Sequence, residues 1–147
     1  GSFSQYTLNK ILKSGSVVGV DILPNSFSHP KFTFILGDIK EMNLATFDNM
    51  KFDVVLSDAM PNTTSDKETN HFRSMALAKS IFNLTKEVLK NGGNFFIKVF
   101  DGKDLPDFKK ELKENFESVE VFKPKSSREE SREIFLFSKQ FKKDFLN

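Results

Sequence analysis

The stretch FDVVLSDAMPN at positions 52–62 decides the fold. Its apolar run leads directly into Asp58, and a proline–asparagine pair then breaks the strand. An unbroken apolar run of this kind is typical of a parallel strand that is covered on both faces. Because ligands of open α/β sheets lie at the carboxyl ends of such strands, Asp58 stands where a ligand would bind. The same acid could equally cap the next turn, and this stretch alone leaves both interpretations open.

Two earlier apolar strands also lead into acids. The predicted strand at 16–20 is followed by Asp21, and the predicted strand at 32–36 is followed by Gly37 and Asp38. Three such acids on one edge of one sheet predict a pocket that binds hydroxyl and amino groups, as a nucleoside requires. An acid at the end of the second strand typically binds the vicinal hydroxyls of a ribose.

The remaining apolar patterns alternate between helical and extended periods, which predicts a mostly parallel α/β sheet. Thr69 could cap a long helix, and the segment Asn91-Gly92-Gly93 would end it. The other predicted elements are helices at 5–13, 44–49 and 105–116, and strands at 94–100, 119–122 and 134–137.

The chain has 147 residues, about the length of one domain, so we expect a single domain over 1–147. No apolar run reaches the roughly 20 residues that cross a bilayer, which favours a cytoplasmic protein with no membrane partner. The absence of cysteine excludes disulfides, thiolate metal sites and cysteine nucleophiles. His29 and His71 lack a second histidine at ligand spacing, so we expect surface or loop roles for them and no metal site.

Lys98 interrupts the otherwise apolar strand at 95–100. A lysine in that position must either extend to the edge of the sheet or face an acid. Burial or a neighbouring cation would favour its uncharged form, in which a lysine can accept a proton. Lys98 is therefore a candidate general base, and a solvated lysine at the sheet edge is the alternative.

The segment 123–133 lies between the last two predicted strands and combines cations with serines. Its cations form a candidate phosphate-binding patch made of Lys123, Lys125, Arg128 and Arg132. An ordinary charged hairpin loop is the alternative, because Glu129 and Glu130 cancel part of the field. The net charge of +2 permits nucleic-acid binding without requiring it. Glu133 differs from those two acids, since it stands at the entry to an apolar strand beside the predicted pocket.

Three motifs together carry a resemblance to a known family. They are SDAMPN at 57–62, GGNFFIKVFDG at 92–102, and KPKSSR at 123–128 followed by SRE at 131–133. In this order and spacing they resemble the FtsJ/RrmJ family of S-adenosylmethionine-dependent RNA ribose 2′-O-methyltransferases. The similarity covers essentially the whole chain, and it looks most like the bacterial enzyme that methylates a uridine of 23S ribosomal RNA.

The resemblance implies a Rossmann-like class I methyltransferase sheet with helices on both faces and S-adenosylmethionine as the cofactor. It implies that Asp58, Lys98 and Glu133 belong to the family's catalytic Lys-Asp-Lys-Glu set, with Lys98 as the base. It also implies that Asp21 holds the cofactor ribose and that Asp38 lies near the adenine amino group, with Asp58 beside the cofactor. The implied partner is ribosomal RNA within the large subunit, contacted by the cations of 123–132, and no metal is implied.

The chain departs from the family pattern at its start. The segment GSFSQY at 1–6 is similar to the end of the glycine-rich cofactor loop, so Gly1 and Phe3 are expected cofactor contacts. The preceding strand, most of that loop and the helix with the first catalytic lysine have no counterpart here. We therefore expect an N-terminally incomplete domain that is inactive by itself, with two unpaired strand edges where the strand would lie.

Two other interpretations stay open. A tRNA-directed or cap-directed 2′-O-methyltransferase would carry the same motifs, and a non-catalytic RNA-binding or ribosome-assembly module could keep the same fold. The presence of Asp58, Lys98 and Glu133 together favours an enzyme. Base methylation fits less well, because the chain has no cysteine and the strand end DAMPN lacks the paired prolines and the aromatic residue of amino-methylating enzymes.

Overall fold

The computed structural model describes residues 14–59, 61, 63–124 and 133–142. The chain divides into two compact units, Gly1–Met42 and Asn43–Asn147, which are described separately. The single-domain expectation stays a prediction. The expected helix at 5–13 lies outside the described residues.

The first unit contains two parallel strands, β1 (Val17–Asp21) and β2 (Phe32–Leu36). They pair in continuous register from the start of each strand to its end. The Gly37 amide donates to the Asp21 carbonyl at 2.9 Å, which holds the two carboxyl ends side by side. A short 3-10 helix, Ile39–Glu41, follows β2. Both strands therefore lie where the apolar pattern predicted them.

The second unit contains a four-stranded sheet in the order β3-β4-β6-β5. Its strands are β3 (Phe52–Ser57), β4 (Leu89–Phe100), β5 (Phe116–Phe122) and β6 (Glu133–Phe141). The β3–β4 ladder is parallel, whereas β6 runs antiparallel to both β4 and β5. The expectation of a mostly parallel sheet is therefore wrong for β6, which is antiparallel to both of its neighbours.

The two sheets are separate in the part of the chain that the structure describes. There β1 pairs with β2 alone, and β3 pairs with β4 alone, so each has one unpaired edge. The expectation that Asp21, Asp38 and Asp58 share one edge of one sheet is accordingly wrong: the first two follow one sheet, and Asp58 follows the other.

Two α-helices pack on one face of the larger sheet through phenylalanine side chains. They are α1 (Lys67–Val88) and α2 (Leu105–Asn115). The Phe82 ring of α1 stacks on Phe95 of β4 at 5.9 Å and meets Phe108 of α2 edge-on at 6.2 Å. All three rings are fully buried, so the phenylalanine-rich composition forms this core. Neither helix combines the length and the hydropathy that a membrane crossing requires.

The opposite face of this sheet is more open. Val54 and Leu56 of β3 point to that face and are 49% and 51% exposed. The expectation that this strand is covered on both faces is therefore wrong. Alternation along β4 and β6 places Phe96, Lys98 and Phe135 on the same face, where each is partly buried.

The predicted ends of α1 need correction. Asp66, not Thr69, is the N-cap, because an Asp66 carboxylate oxygen accepts from the Glu68 amide at 3.2 Å and the helix begins at Lys67. Thr69 instead donates its hydroxyl to the other Asp66 oxygen. The helix ends at Val88 with an extended Leu89 as its cap, before the glycine pair that was predicted to end it.

The glycine at 93 is required by a close approach of two strands. A Cβ atom there would lie 2.8 Å from the Asp53 carbonyl oxygen and 2.7 Å from a Leu89 methyl carbon. No side chain fits at this point, where the β3–β4 register is also irregular.

The Asp66 cap predicts a pH-dependent contribution to stability. The Thr69 hydroxyl, followed by the Glu68 amide, lowers the pKa of Asp66. A lowered folded-state pKa gives stability that is present above the unfolded pKa of about 3.9 and is lost as the pH falls through the folded pKa. Asp66→Ala should therefore lower the Tm at pH 7, and its difference from wild type should shrink at pH 3. Thermal melts at pH 7 and pH 3 measure this difference in Tm, and Glu117→Ala, at an exposed position, is the control. A Tm difference of the same size at both pH values would contradict the prediction.

Replacement of the buried Ser138 by alanine should stabilise the protein. Its side chain is fully buried, and its hydroxyl has no hydrogen-bond partner among the described residues. An unpaired buried hydroxyl costs about 1–3 kcal/mol, so Ser138→Ala should raise the free energy of unfolding by about 1 kcal/mol in urea denaturation. The exposed Ser118→Ala on β5 is the control and should change it by less than about 0.5 kcal/mol. A loss of stability in Ser138→Ala would show that the hydroxyl has a partner.

Candidate active site

Strand register brings Asp58 and Lys98 to adjacent positions. Ser57, the last residue of β3, pairs with Ile97 of β4 in the parallel ladder. Asp58 and Lys98 each come one residue later, so both lie at the carboxyl edge of neighbouring strands. This is the edge at which α/β sheets bind ligands.

Lys98 faces Glu133, as one of the two sequence interpretations predicted. The Lys98 Nζ lies 3.8 Å from Glu133 Oε2, and the two side chains are 18% and 38% exposed. Glu133 is the first residue of β6 and pairs with Phe100, whereas Lys98 pairs with Phe135. The lysine therefore reaches diagonally across the β4–β6 ladder to an acid, rather than extending alone to the sheet edge.

The turn-capping interpretation of Asp58 finds no support in the described residues. The Ala59 amide donates to the Ser57 hydroxyl at 3.4 Å, so Ser57 makes the local turn contact. Asp58 is exposed, and its carboxylate makes no hydrogen bond or ion pair within the described ranges. Its oxygens are accordingly available to a ligand.

Asp21 and Asp38 lie in the first unit, at the adjacent ends of β1 and β2. A carboxylate oxygen of Asp21 accepts from the Leu23 amide at 3.1 Å, and one of Asp38 accepts from the Lys40 amide at 2.9 Å. Asp38 thereby caps the 3-10 helix. Both side chains are exposed, which suits carboxylates that bind hydroxyl and amino groups of a ligand.

Several predicted site residues lie outside the described part of the chain. These are the cofactor-loop residues Gly1 and Phe3 and the cations Lys125, Arg128 and Arg132. Lys123 is described: it is exposed and directly follows β5. The basic segment thus begins at the end of one strand and leads to Glu133 at the start of the next.

Sequence reasoning missed three buried polar residues at the start of α1. Asn70, His71 and Ser74 all lie in the helix and hydrogen-bond to segments that follow β3 and β4. The expectation of a surface or loop role for His71 is therefore wrong. The available signal was polar side chains at positions that share the helix face of Met75 and Ala78.

The described residues contain no group of three or more histidine, aspartate or glutamate side chains that could hold a metal ion. The predicted residues Asp58, Lys98 and Glu133 instead bring one lysine and an acid from each neighbouring strand to this edge. This set suits proton transfer and the orientation of a hydroxyl group.

Comparison with known proteins identifies the family. The model of the FtsJ-like methyltransferase family matches residues 1–141. The chain belongs to this family. Ribosomal RNA large subunit methyltransferase E of Brachyspira hyodysenteriae is 80% identical over 143 residues, which are 97% of this chain and 74% of that relative.

Solved structures give the same fold. The structure described as a ribosomal RNA methyltransferase from Plasmodium falciparum superposes with a TM-score of 0.80 at 29% identity, over 96% of this chain and 81% of that one. Human methyltransferase-like protein 13, solved in complex with SAH, superposes with a TM-score of 0.62 at 18% identity, over 95% of this chain and 67% of that one. The predicted α/β methyltransferase fold and the resemblance to the FtsJ family are therefore confirmed, and the chain is a member of an enzyme family that transfers methyl groups.

The Lys98–Glu133 pair should contribute little to folding, because its atoms are 3.8 Å apart and Glu133 is 38% exposed. Ion pairs near the surface contribute about 0–1 kcal/mol, so Glu133→Gln should change the free energy of unfolding by less than about 1 kcal/mol in urea denaturation. Glu120→Gln on β5 is the control, because it removes the same charge from another ion pair between two strands, in which Glu120 Oε1 lies 3.6 Å from Lys139 Nζ. A loss of several kcal/mol in Glu133→Gln alone would make the pair a structural element.

Proposed function

We propose that this protein transfers a methyl group from S-adenosylmethionine to a ribose 2′-hydroxyl of large-subunit ribosomal RNA, with a uridine of 23S RNA as the target. The observation that carries the proposal is the set Asp58, Lys98 and Glu133 at one edge of the larger sheet. Membership of the FtsJ-like methyltransferase family supports the reaction class. The 80% identical relative, named for ribosomal RNA of the large subunit, supports the substrate.

An assembled ribosomal subunit in the cytoplasm is the proposed form of the substrate. The net charge is only +2, and the predicted phosphate contacts are confined to Lys123, Lys125, Arg128 and Arg132. A few phosphate contacts alone give weak, salt-sensitive binding. An assembled subunit would offer further contacts, through its folded RNA and its proteins, beyond those of this small patch.

Asp21 and Asp38 would hold the cofactor, together with Gly1 and Phe3 of the proposed loop. The exposed carboxylates of Asp21 and Asp38 stand on adjacent, paired strand ends, which fits the diol of a ribose and an adenine amino group. When bound, S-adenosylmethionine supplies an electrophilic methyl group on a sulfonium centre.

Lys98 is proposed to take the proton of the 2′-hydroxyl as that oxygen attacks. The proton would go to Lys98 Nζ, and Glu133, 3.8 Å away, would stabilise the ammonium group that results. Asp58 would orient the hydroxyl from the neighbouring strand. Correct orientation of two reactants can supply roughly 7–11 kcal/mol of the barrier reduction, so fixed positions of these side chains matter as much as their chemistry.

Removing the Lys98 amine should abolish methyl transfer and leave cofactor binding intact. Lys98→Met in the full-length protein retains an apolar stem among phenylalanines, so the sheet should remain folded. Transfer of radiolabelled methyl groups to undermethylated large subunits measures activity, and calorimetry measures binding of S-adenosylmethionine. Lys90→Met is the control, because Lys90 lies on the same strand and forms an exposed ion pair with Asp53 at 3.3 Å. Retained turnover in Lys98→Met would remove this lysine from the mechanism.

The same assay separates the competing functions. Label recovered in a 2′-O-methylated uridine of 23S RNA supports the proposal, whereas label in transfer RNA or in a cap would redirect it to another substrate. Tight binding to the subunit without any incorporation would indicate a non-catalytic assembly module.

A further inference from the structure

Three of the buried polar side chains in the described residues lie within five positions of α1. Asn70, His71 and Ser74 are 7%, 6% and 3% exposed. Burying polar groups is unfavourable unless each finds a hydrogen-bond partner. If this turn of the helix only packed on the sheet, apolar side chains would suffice. The hydrogen-bond partners of the three polar side chains therefore indicate the additional role of this turn.

Asn70 binds the segment that follows β3. Its Oδ1 accepts from the Thr64 amide at 2.7 Å and from the Thr64 hydroxyl at 3.2 Å, and its Nδ2 donates to the Thr64 carbonyl at 2.8 Å. Both backbone polar groups of Thr64 are therefore held by one amide side chain. Thr64 lies six residues after Asp58, in the connection from the active-site edge to α1.

His71 binds the segment that follows β4. Its Nε2 accepts from the Asp104 amide at 3.0 Å and lies 3.5 Å from an Asp104 carboxylate oxygen, and its Nδ1 donates to the Phe100 carbonyl at 3.2 Å. The ring also packs against Gly102 so closely that a Cβ atom there would collide with it. One imidazole ring thus spans the whole turn from β4 to α2, beginning two residues after Lys98.

Ser74 completes the attachment of the β4 end. Its hydroxyl accepts from the Phe100 amide at 2.9 Å. The backbone amide and carbonyl of Phe100 are therefore both bound by α1. Asn70 and His71 are adjacent and point about 100° apart around the helix, which lets one turn reach two different segments.

We propose that Asn70 and His71 are positioning residues for the methyl transfer proposed above. They hold the Thr64 backbone and the turn from Phe100 to Asp104 against α1, and so brace the strand ends on which the β3–β4 register places Asp58 and Lys98. This inference rests on the proposed function. All of these bonds to the two segments, except that to the Thr64 hydroxyl, go to backbone groups, which is what control of chain position requires.

The test compares two substitutions of His71 in the full-length protein. His71→Leu fills the buried space but removes both hydrogen bonds, so kcat for methyl transfer to undermethylated large subunits should fall by up to about a hundredfold. His71→Gln keeps an acceptor near the position of Nε2 for the Asp104 amide and should recover at least about tenfold of that loss. The KM for S-adenosylmethionine should stay within about twofold in both, because His71 binds the turn after β4, which contains none of the proposed cofactor residues.

Three readouts distinguish positioning from mere folding. The amplitude of the cooperative unfolding transition in urea gives the folded, competent fraction by which kcat is divided. Hydrogen exchange at the Asp104 and Thr64 amides reports whether each segment is released. Asn70→Ala should release Thr64 and lower kcat in the same way, and Gly102→Ala should disturb the His71 contact from the segment's side. Ser80→Ala, which changes an exposed hydroxyl bonded only to its own helix, is the control and should leave kcat unchanged.

The outcomes separate this inference from the proposed function. A corrected kcat that falls in His71→Leu and recovers in His71→Gln supports positioning. Two results would overturn it. One is faster hydrogen exchange at the Asp104 amide in a variant whose kcat equals that of the wild type. The other is a fall in kcat that disappears once kcat is divided by the competent fraction. If the wild-type protein transfers no methyl group to ribose, the proposed function fails and the inference fails with it.

Discussion

The stacking of Phe82 on Phe95 is the contact on which the rest of the larger unit depends. It seats α1 on β4 and gives that strand a buried face and a partly open face. Side chains alternate along a strand, so burial of Phe95, Ile97 and Val99 directs Lys98 to the opposite face. The position of the proposed base is therefore a consequence of aromatic packing at Phe95, three residues away, and of the burial of its two apolar neighbours, rather than of any contact that the lysine makes itself.

Much of the candidate site could be predicted from local pattern. A lysine inside an apolar strand and acids at strand ends violate the expected composition of a buried sheet, and these violations mark the candidate residues Lys98, Asp58 and Glu133. The pairing of these residues could not be read in the same way. The antiparallel course of β6 and the division into two sheets depend on contacts between distant segments, which local periodicity does not record.

The residues that sequence reasoning misplaced share a physical cause. His71 is polar and has polar neighbours in sequence, but its burial arises from the Phe100–Asp104 turn nearly thirty residues later. Asp66 and Thr69 are both competent helix caps, and Asp66 takes the position because its carboxylate accepts from the Glu68 amide. Both residue types are favoured at N-caps, so propensity alone does not locate the start of the helix.

Attachment through backbone groups has a consequence for how this protein can diverge. Nearly every atom that Asn70, His71 and Ser74 bind in the two segments is an amide or carbonyl that any residue except proline supplies. The side chains of Thr64, Asp66 and Asp101 add contacts of their own to these two segments. Thr63 and Ser65 make no such side-chain contact among the described residues, so these two positions can change without loss of the hydrogen bonds that attach the segments to α1.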